Sequence, residues 1–231
     1  MSAPNPKETA GRRAAEMVED GMTVGLGTGS TVHFTLLRLA ERIRDEGLKL
    51  IGVPTSIDTE TKARELGIPL ATLDDVDAID LTIDGADEVD PAFNLTKGGG
   101  GALLREKVVA HISKREAVVV GRAKLVERLG TTFLLPVEVV PFARPVVARE
   151  ISCLGADPIL RQGASGEPYL TDNGNEILDC KFPDGIADPA QLEFALDRIP
   201  GVVESGLFVG LAHALVIGND DGSCEVRELP N

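Results

Sequence analysis

Short apolar segments alternate with amphipathic segments over the first half of the chain, and this alternation limits the possible folds most strongly. The apolar residues 22–26 run directly into a Gly-Thr-Gly-Ser-Thr turn, after which residues 32–44 have helical periodicity. Further short strands are predicted at residues 48–53, 69–73, 78–83 and 116–120. Strands that alternate with helices form parallel sheets covered on both faces. We therefore expect an open, mostly parallel α/β sheet in this part of the chain.

The pattern of predicted elements changes near residue 130. Beyond it, strands and helices follow in the order β-α-β-β-α-β. An Asn-Gly turn within residues 172–175 is expected to pair residues 169–171 with residues 176–179. This order of elements is the split pattern of a ferredoxin-like α+β domain.

The end of the sequence is expected to return to the first sheet. Residues 202–209 predict a last strand of the second domain, and residues 214–217 and 224–228 predict a hairpin. We therefore expect two domains. The larger, open-sheet domain is assigned residues 1–129 and 208–231, and the smaller α+β domain residues 130–207.

The composition restricts both the core and the ligands. Aromatic residues make up 3% of the sequence and Trp is absent, so the core has to be built from Val, Leu, Ile and Ala. There are 37 Asp and Glu residues against 23 Lys and Arg, a net charge of -14. Such a surface repels nucleic acid and anionic membranes. A phosphorylated ligand would be repelled as well, unless local Lys residues and backbone amides reversed the field at its site.

Cysteine and histidine usage argues against a metal or disulfide framework. Cys153, Cys180 and Cys224 are odd in number and widely spaced, and the His residues are scattered. The polar start of the sequence lacks the apolar core of a signal peptide. No apolar run reaches the ~18 residues of a membrane span. We therefore expect a protein of the reducing cytoplasm.

The first motif that could bind a ligand is the glycine-rich turn at residues 25–31. Glycines allow the backbone to approach a ligand, and the start of the following helix offers free amides to an anion. Thr28, Ser30 and Thr31 add hydroxyl groups. A nucleotide P-loop would need a Lys after the glycines, and a dinucleotide site would need a third glycine. A phosphate site and an ordinary tight turn both remain possible from this segment alone.

The second motif follows a predicted strand and reads Asp84, Gly85, Ala86, Asp87 and Glu88. Ligands of open parallel sheets bind outside the carboxyl ends of the strands. Carboxylates at that edge can move protons or bind hydroxyl groups. They can also bind magnesium, and a solvated acidic loop would have the same sequence.

The third motif places Lys97 before four consecutive glycines and Glu106 in the first turns of the next predicted helix. Four glycines are entropically costly unless the backbone has to wrap a ligand. A carboxylate base and an ammonium group suit enolisation, because the base removes a proton beside a carbonyl while the cation stabilises the enediolate oxygen. A flexible loop before a charged helix is the alternative.

Taken together, the three motifs resemble the type A ribose-5-phosphate isomerases. The resemblance continues in order through residues 135–139, 171–175 and 199–203 and covers nearly the whole sequence. It implies a Rossmann-like domain, a ferredoxin-like domain, and a homodimer or homotetramer. It also implies interconversion of D-ribose 5-phosphate and D-ribulose 5-phosphate through an enediolate, in the non-oxidative pentose phosphate pathway, with no metal and no cofactor.

The resemblance also implies a role for each candidate residue. Glu106 is implied to move the proton between C2 and C1, and Lys97 to stabilise the enediolate. Asp84 and Asp87 are implied to handle sugar hydroxyls and to assist ring opening. The remaining candidates are implied to bind the substrate: Thr28, Gly29, Ser30, Thr31, Gly85, Ala86, Gly98, Gly99, Gly100, Lys124 and Lys7. Residues 161–169 depart from the family pattern as a slightly longer turn, which we expect to lie away from the motifs.

Two other functions remain open from the residues. One is a related sugar-phosphate deaminase or lactonase on a similar fold. The other is a phosphosugar-sensing domain, since a fold alone does not fix a function. A sensor is expected to have lost its catalytic residues, whereas Asp84, Asp87, Lys97 and Glu106 are all present.

Overall fold

The computed structural model describes residues 4–229 and divides them into two compact units. The first unit contains the described residues up to Ala86, Arg105–Lys124, and those from Leu211 onward. The second unit contains Asp87–Leu104 and Leu125–Gly210. Compared with the domains expected from the sequence, the second unit also takes in residues 87–104, 125–129 and 208–210.

The described elements are numbered in chain order. The helices are α1 (Pro6–Ala15), α2 (Ser30–Glu46), α3 (Ile57–Glu65), α4 (Leu103–His111), α5 (Arg144–Cys153) and α6 (Pro189–Leu196). The strands are β1 (Met22–Leu26), β2 (Leu50–Pro54), β3 (Leu81–Gly85), β4 (Glu88–Val89), β5 (Leu95–Thr96), β6 (Glu116–Gly121), β7 (Leu135–Val139), β8 (Asp157–Leu160), β9 (Glu176–Lys181), β10 (Val202–Ser205), β11 (Leu207–Phe208), β12 (Ala214–Gly218) and β13 (Cys224–Glu228).

The first unit is built on a six-stranded sheet in the order β13-β12-β6-β3-β1-β2. Its strands pair in parallel except for the hairpin of β12 and β13. The core beside the sheet is aliphatic, with Leu26, Leu36, Leu39, Ile83 and Val119 all nearly inaccessible to solvent. Because the strands are parallel, the carboxyl ends of β1, β2, β3 and β6 lie along one edge, where α/β sheets bind ligands.

Local sequence signals explain where the helices around this sheet begin. The Asn5 side chain accepts a hydrogen bond from the Lys7 amide (3.1 Å) at the start of α1. The Ser56 hydroxyl accepts one from the Thr59 amide (3.0 Å) at the start of α3. Both are side-chain caps that satisfy amides which the helix itself leaves without acceptors.

The second unit contains two small sheets. The larger is an antiparallel sheet of four strands in the order β10-β7-β9-β8, joined through α5 and α6. This arrangement is the ferredoxin-like pattern expected from the sequence. The smaller has three strands in the order β11-β5-β4. Its strands β4 and β5 explain why residues 87–104 group with the second unit, since both belong to a sheet completed by β11.

Most of the predicted elements are confirmed, and three are wrong. The hairpin of β12 and β13 returns to the first sheet as expected, because β12 pairs in parallel with β6. Residues 69–73 do not form a strand; Leu70 makes an isolated bridge to Gly52. Residues 169–171 do not form a strand with residues 176–179; Leu170 makes an isolated bridge to Glu176, and β9 pairs with β7 and β8 instead. The strand predicted at residues 202–209 is divided at Gly206, so that β10 pairs with β7 and β11 pairs with β5.

None of the helices between residues 4 and 229 combines the length and the apolar character needed to cross a membrane.

An ion pair at the amino end of β3 gives a prediction about stability and pH. Asp80 accepts hydrogen bonds from Lys114 Nζ (2.7 Å) and from the Thr23 amide (2.9 Å), and both hold the pKa of its carboxyl below its ordinary value. We expect Asp80→Asn to lower the free energy of unfolding by about 1 kcal/mol at neutral pH, because the pair is partly exposed. A lowered folded-state pKa stabilises the fold above about pH 4, and this contribution disappears as the pH falls through that pKa.

Urea unfolding of the wild type and the variant at neutral pH and at about pH 3 would measure this difference. Asp74→Asn, at an exposed position of the same segment, is the matched control. A difference that stays constant down to low pH would contradict the assignment to the Asp80 carboxylate.

Candidate active site

The glycine-rich turn of the first unit lies between the end of β1 and the start of α2. Helix α2 begins at Ser30, so its first amides are offered to a ligand at the positive end of the helix dipole. Lys7 Nζ donates to the Ser30 hydroxyl (2.9 Å), which brings a cation from α1 to the same place. Gly29 and Ser30 are exposed. This arrangement can bind an anion such as a phosphate group.

Asp84 connects this turn to the neighbouring strand β3. Its Oδ1 accepts hydrogen bonds from the amides of Thr28 (3.0 Å) and Gly85 (2.7 Å), and its side chain is fully buried. Gly27 packs directly against it, and a Cβ at this position would overlap the Asp84 carboxylate. The glycine is therefore required for the close approach of the turn to the aspartate.

The Thr28 hydroxyl lies in a cluster of hydroxyl groups at the carboxyl end of β2. It is within hydrogen-bond distance of the hydroxyls of Thr55 (2.8 Å), Ser56 (2.8 Å) and Thr59 (3.2 Å). Thr59 also donates to the carbonyl of Gly27 (2.8 Å), which fastens the turn to α3. These supporting residues were not identified from the sequence. The signal that could have found them is the position of Thr55 and Ser56 directly after a parallel strand.

The other candidates of the first unit lie on α4, on α2, after β3 and after β6. Glu106 is in the first turn of α4 and is 5% exposed. Thr31 is in the first turn of α2, and Ala86 follows β3. Lys124 ends the short 3₁₀ turn Arg122–Lys124 after β6 and is partly exposed.

The second unit brings Asp87 together with the glycine run. Asp87 Oδ2 accepts a hydrogen bond from the Gly99 amide (2.8 Å), and the Asp87 amide donates to the Thr96 carbonyl (2.7 Å). A Cβ at Gly99 would lie 2.8 Å from Asp87 Oδ1. The absence of a side chain therefore allows the loop to close onto the carboxylate.

Lys97 precedes this loop and is buried in the second unit. It is 2% exposed, its amide donates to the Gly206 carbonyl (2.8 Å), and its Nζ lies 5.3 Å from the centroid of the Phe208 ring. An ammonium group near an aromatic face is stabilised by the ring quadrupole. The backbone and the side chain of Lys97 are thus both held by the segment around β11.

Glu88 belongs to the same motif as Asp84 and Asp87, but its carboxylate supports the fold. It is fully buried. Oε1 accepts from the amides of Thr132 (2.6 Å) and Phe133 (3.0 Å), and Oε2 accepts from the Gly130 amide (2.6 Å). A buried polar group is tolerated in a folded protein when its oxygens accept hydrogen bonds, as both oxygens of Glu88 do. Glu88 therefore anchors residues 130–133 rather than facing a ligand.

The expectation that residues 161–169 lie away from the motifs is wrong. Arg161 donates to the carbonyls of Gly98 (2.9 Å) and Gly99 (3.2 Å), and the Tyr169 hydroxyl donates to the carbonyl of Gly100 (3.3 Å). The sequence offers no local signal for these contacts, because more than sixty residues separate the partners.

The structure thus gathers the candidates in two sets, one in each unit. In the first unit, direct hydrogen bonds join Lys7 to Ser30, and join Thr28 and Gly85 to Asp84. The same unit contains the candidates Glu106, Lys124, Thr31, Gly29 and Ala86. The second unit contains Asp87, Lys97, Gly98, Gly99 and Gly100. No group of three His, Cys, Asp or Glu side chains suited to holding a metal ion occurs among residues 4–229.

Comparison with known proteins gives consistent results along the chain. The family described as ribose 5-phosphate isomerase A (phosphoriboisomerase A) matches residues 51–222. Ribose-5-phosphate isomerase A of Gloeobacter violaceus is 55% identical over 221 residues, which cover 95% of this chain and 94% of that protein. The structure of ribose 5-phosphate isomerase A from Methanocaldococcus jannaschii has a TM-score of 0.91 and 39% identity, and covers 96% of this chain and 98% of that one.

A further solved structure is a D-ribose-5-phosphate isomerase in complex with phospho-erythronic acid. It has a TM-score of 0.94 and 40% identity, and covers 99% of this chain and 100% of that one. The fold and these likenesses define the class of protein, an isomerase of α/β architecture. The chain belongs to the ribose 5-phosphate isomerase A family. The fold class, the family and the assignment as an isomerase predicted from the sequence are confirmed.

Proposed function

We propose that this chain interconverts D-ribose 5-phosphate and D-ribulose 5-phosphate in the non-oxidative pentose phosphate pathway. The observation that carries the proposal is its likeness to the isomerase bound to phospho-erythronic acid, over 99% of this chain. A phosphorylated aldonic acid has a planar, negatively charged carboxylate beside a hydroxyl-bearing carbon. It therefore resembles the enediolate of a sugar phosphate, and enzymes bind such analogues tightly.

The phosphate group of the substrate is assigned to the start of α2. Three features there favour an anion: the exposed Gly29 and Ser30, the amides of the first helical turn, and the ammonium group of Lys7. Thr28 and Thr31 belong to the same turn, and Lys124 adds a further cation in the same unit. These groups provide the local positive field that a protein with a net charge of -14 needs for an anionic substrate.

The isomerisation is assigned to Glu106 and Lys97. The Glu106 carboxylate removes the proton from C2 of the open-chain aldose, the C–H electron pair forms the C1–C2 double bond, and the carbonyl electrons move to O1. The Lys97 ammonium group stabilises that negative oxygen. Glu106 then returns the proton to C1 while the O2 hydroxyl proton is transferred to O1, so that C2 becomes the ketone. One group serves as base and acid in turn.

Asp84 and Asp87 are assigned to the sugar hydroxyl groups and to ring opening. Each carboxylate has one oxygen held by backbone amides, from Thr28 and Gly85 for Asp84 and from Gly99 for Asp87. Amide hydrogen bonds fix the orientation of a carboxylate before the substrate binds. Gly85, Ala86, Gly98 and Gly100 are assigned to substrate contacts through their backbone.

The reaction is proposed to need no metal and no cofactor. We expect purified protein to convert ribose 5-phosphate at the same rate with and without excess EDTA, measured in a coupled assay of ribulose 5-phosphate. Activity that EDTA abolishes and magnesium restores would contradict the metal-free mechanism. No conversion in either condition would contradict the proposed function itself.

We also propose that the protein is a cytoplasmic homodimer or homotetramer that binds neither nucleic acid nor membranes. Light scattering coupled to size-exclusion chromatography measures the assembly directly. A monomer of 24.4 kDa would contradict this proposal.

A further inference from the structure

Arg161 bridges an acidic side chain and the glycine run of the second unit. It directly follows β8 and forms a two-pronged ion pair with Asp179 on β9, from Nε to Oδ2 (2.9 Å) and from Nη2 to Oδ1 (2.5 Å). Its remaining nitrogen, Nη1, donates to the carbonyls of Gly98 (2.9 Å) and Gly99 (3.2 Å). The side chains of Arg161 and Asp179 are 14% and 19% exposed, so the pair is partly shielded from water.

The two-pronged pair fixes the plane of the guanidinium group. A guanidinium is planar, and its parallel N–H groups match the two oxygens of a carboxylate. With Nε and Nη2 held by Asp179, the direction in which Nη1 donates is also fixed. Strand β9 thus sets the position at which the carbonyls of the glycine run are held.

A single peptide unit is held at both of its ends by this arrangement. The carbonyl of Gly98 accepts from Arg161, and the amide of Gly99, in the same peptide plane, donates to Asp87 (2.8 Å). Rotation of this peptide would break both hydrogen bonds. The guanidinium group of Arg161, by holding the Gly98 carbonyl, therefore also stabilises the peptide orientation in which the Gly99 amide donates to Asp87.

Tyr169 supports the other end of the glycine run. Its hydroxyl donates to the Gly100 carbonyl (3.3 Å), and Arg161 lies 5.8 Å from the centroid of its ring. A Cβ at Gly101 would overlap the phenol, so ring and backbone are in close contact. Burial, and then the charge of Asp172, raise the pKa of the Tyr169 hydroxyl, which therefore remains a donor at neutral pH.

We propose that Arg161, oriented by Asp179, is a positioning residue that fixes the Gly98–Gly99 peptide and, through it, the Asp87 carboxylate and the loop that follows Lys97. The inference rests on the proposed function, because it concerns the same reaction. Four consecutive glycines would otherwise sample many backbone conformations. A misplacement of about 1 Å in a catalytic arrangement can lower turnover by roughly 100-fold.

The test compares Arg161→Met with Arg161→Lys. The lysine retains the charge beside Asp179. A single ammonium group cannot form a bidentate ion pair with that carboxylate and also donate to the Gly98 carbonyl in the same geometry. Arg144→Met is the matched control, since it removes an ion pair of the same unit, between Arg144 Nη1 and Glu176 Oε1 (3.2 Å). We expect both Arg161 variants to lose roughly 10- to 100-fold in kcat with little change in KM, and the control to retain wild-type kinetics.

Hydrogen exchange provides a measurement that does not depend on activity. We expect the amides of residues 99–101 to exchange faster in Arg161→Met and Arg161→Lys, and to be unchanged in Arg144→Met. Asp179→Asn should lower kcat in the wild-type background and have no further effect beside Arg161→Met, because it acts through the same guanidinium group.

Unchanged kcat and unchanged exchange in the Arg161 variants would overturn the proposal. It would also be overturned by Arg144→Met losing as much activity, which would indicate a general loss of stability. If the wild type does not isomerise ribose 5-phosphate, the proposed function fails, while the exchange rates still decide whether Arg161 holds the loop.

Discussion

Replacing Glu106 with Gln is expected to lower kcat by roughly 10²–10⁴-fold, the usual range for the loss of a general base. The amide has nearly the shape of the carboxylate but cannot accept the C2 proton. Because Glu106 is only 5% exposed in the first turn of α4, a substitution of equal size avoids leaving a cavity. KM should change little, since the phosphate is assigned to other residues. Steady-state kinetics in the coupled assay measures both constants.

The control for this experiment is Glu65→Gln, which makes the same chemical change at the exposed end of α3. It should retain wild-type kcat. Circular dichroism of both variants would show whether the fold is preserved. A folded Glu106→Gln protein with wild-type turnover would remove Glu106 from the mechanism.

Replacing Lys97 with Met is expected to lower kcat by roughly 10²–10³-fold, the typical effect of removing one group that stabilises a developing oxyanion. The apolar side chain has a similar length and can occupy the buried space beside Phe208. The substitution should weaken the binding of a ligand that carries the enediolate charge more than it weakens the binding of the substrate. We therefore expect the affinity for phospho-erythronic acid to fall more than KM rises, as measured by competitive inhibition.

Lys181→Met is the matched control, because Lys181 is an exposed lysine at the end of β9 in the same unit. It should leave turnover and inhibition unchanged. If Lys97→Met preserves kcat and weakens the binding of substrate and analogue equally, Lys97 binds both to the same extent. It would then not stabilise the intermediate selectively.

Much of the first unit could be predicted because its signals are local. The run from β1 through the glycine turn into α2 shows in sequence as an apolar segment, a turn and a helical period. The hairpin of β12 and β13 surrounds a turn rich in Asn, Asp and Gly. In both cases the residues that determine the element lie within it.

The second unit was harder to predict where elements depend on distant partners. Strands β4 and β5 have two residues each, too few to form a recognisable period, and they exist because they pair with each other and with β11. The predicted strand at residues 202–209 is divided because the Gly206 amide donates to Pro136 (2.7 Å) while its carbonyl accepts from Lys97 (2.8 Å). No property of residues 202–209 alone indicates these contacts.

The candidate site was predictable to different degrees. The carboxylates, the lysines and the glycine runs can be selected as chemical groups, and the pairing of Lys97 with Glu106 indicates enolisation. The remaining roles follow only from the family resemblance. The partners of the Thr28 hydroxyl have one weak signal, the position of Thr55 and Ser56 directly after a parallel strand. The contact of Arg161 with Gly98 leaves no pattern in the sequence, because the two residues are far apart along the chain.

The strand order of the first unit has a consequence for how the protein is synthesised. Strand β12 lies beside β6 in the sheet, yet Leu125–Gly210 separates them in the sequence. While the ribosome is translating that stretch, β6 is an edge strand of the incomplete sheet. Its unpaired backbone groups can then pair with strands of other chains. The edge of β6 is covered only after β12 has been synthesised and has paired with it. We therefore expect ribosome-bound chains that stop before residue 214 to be the most prone to aggregation and the most dependent on chaperones.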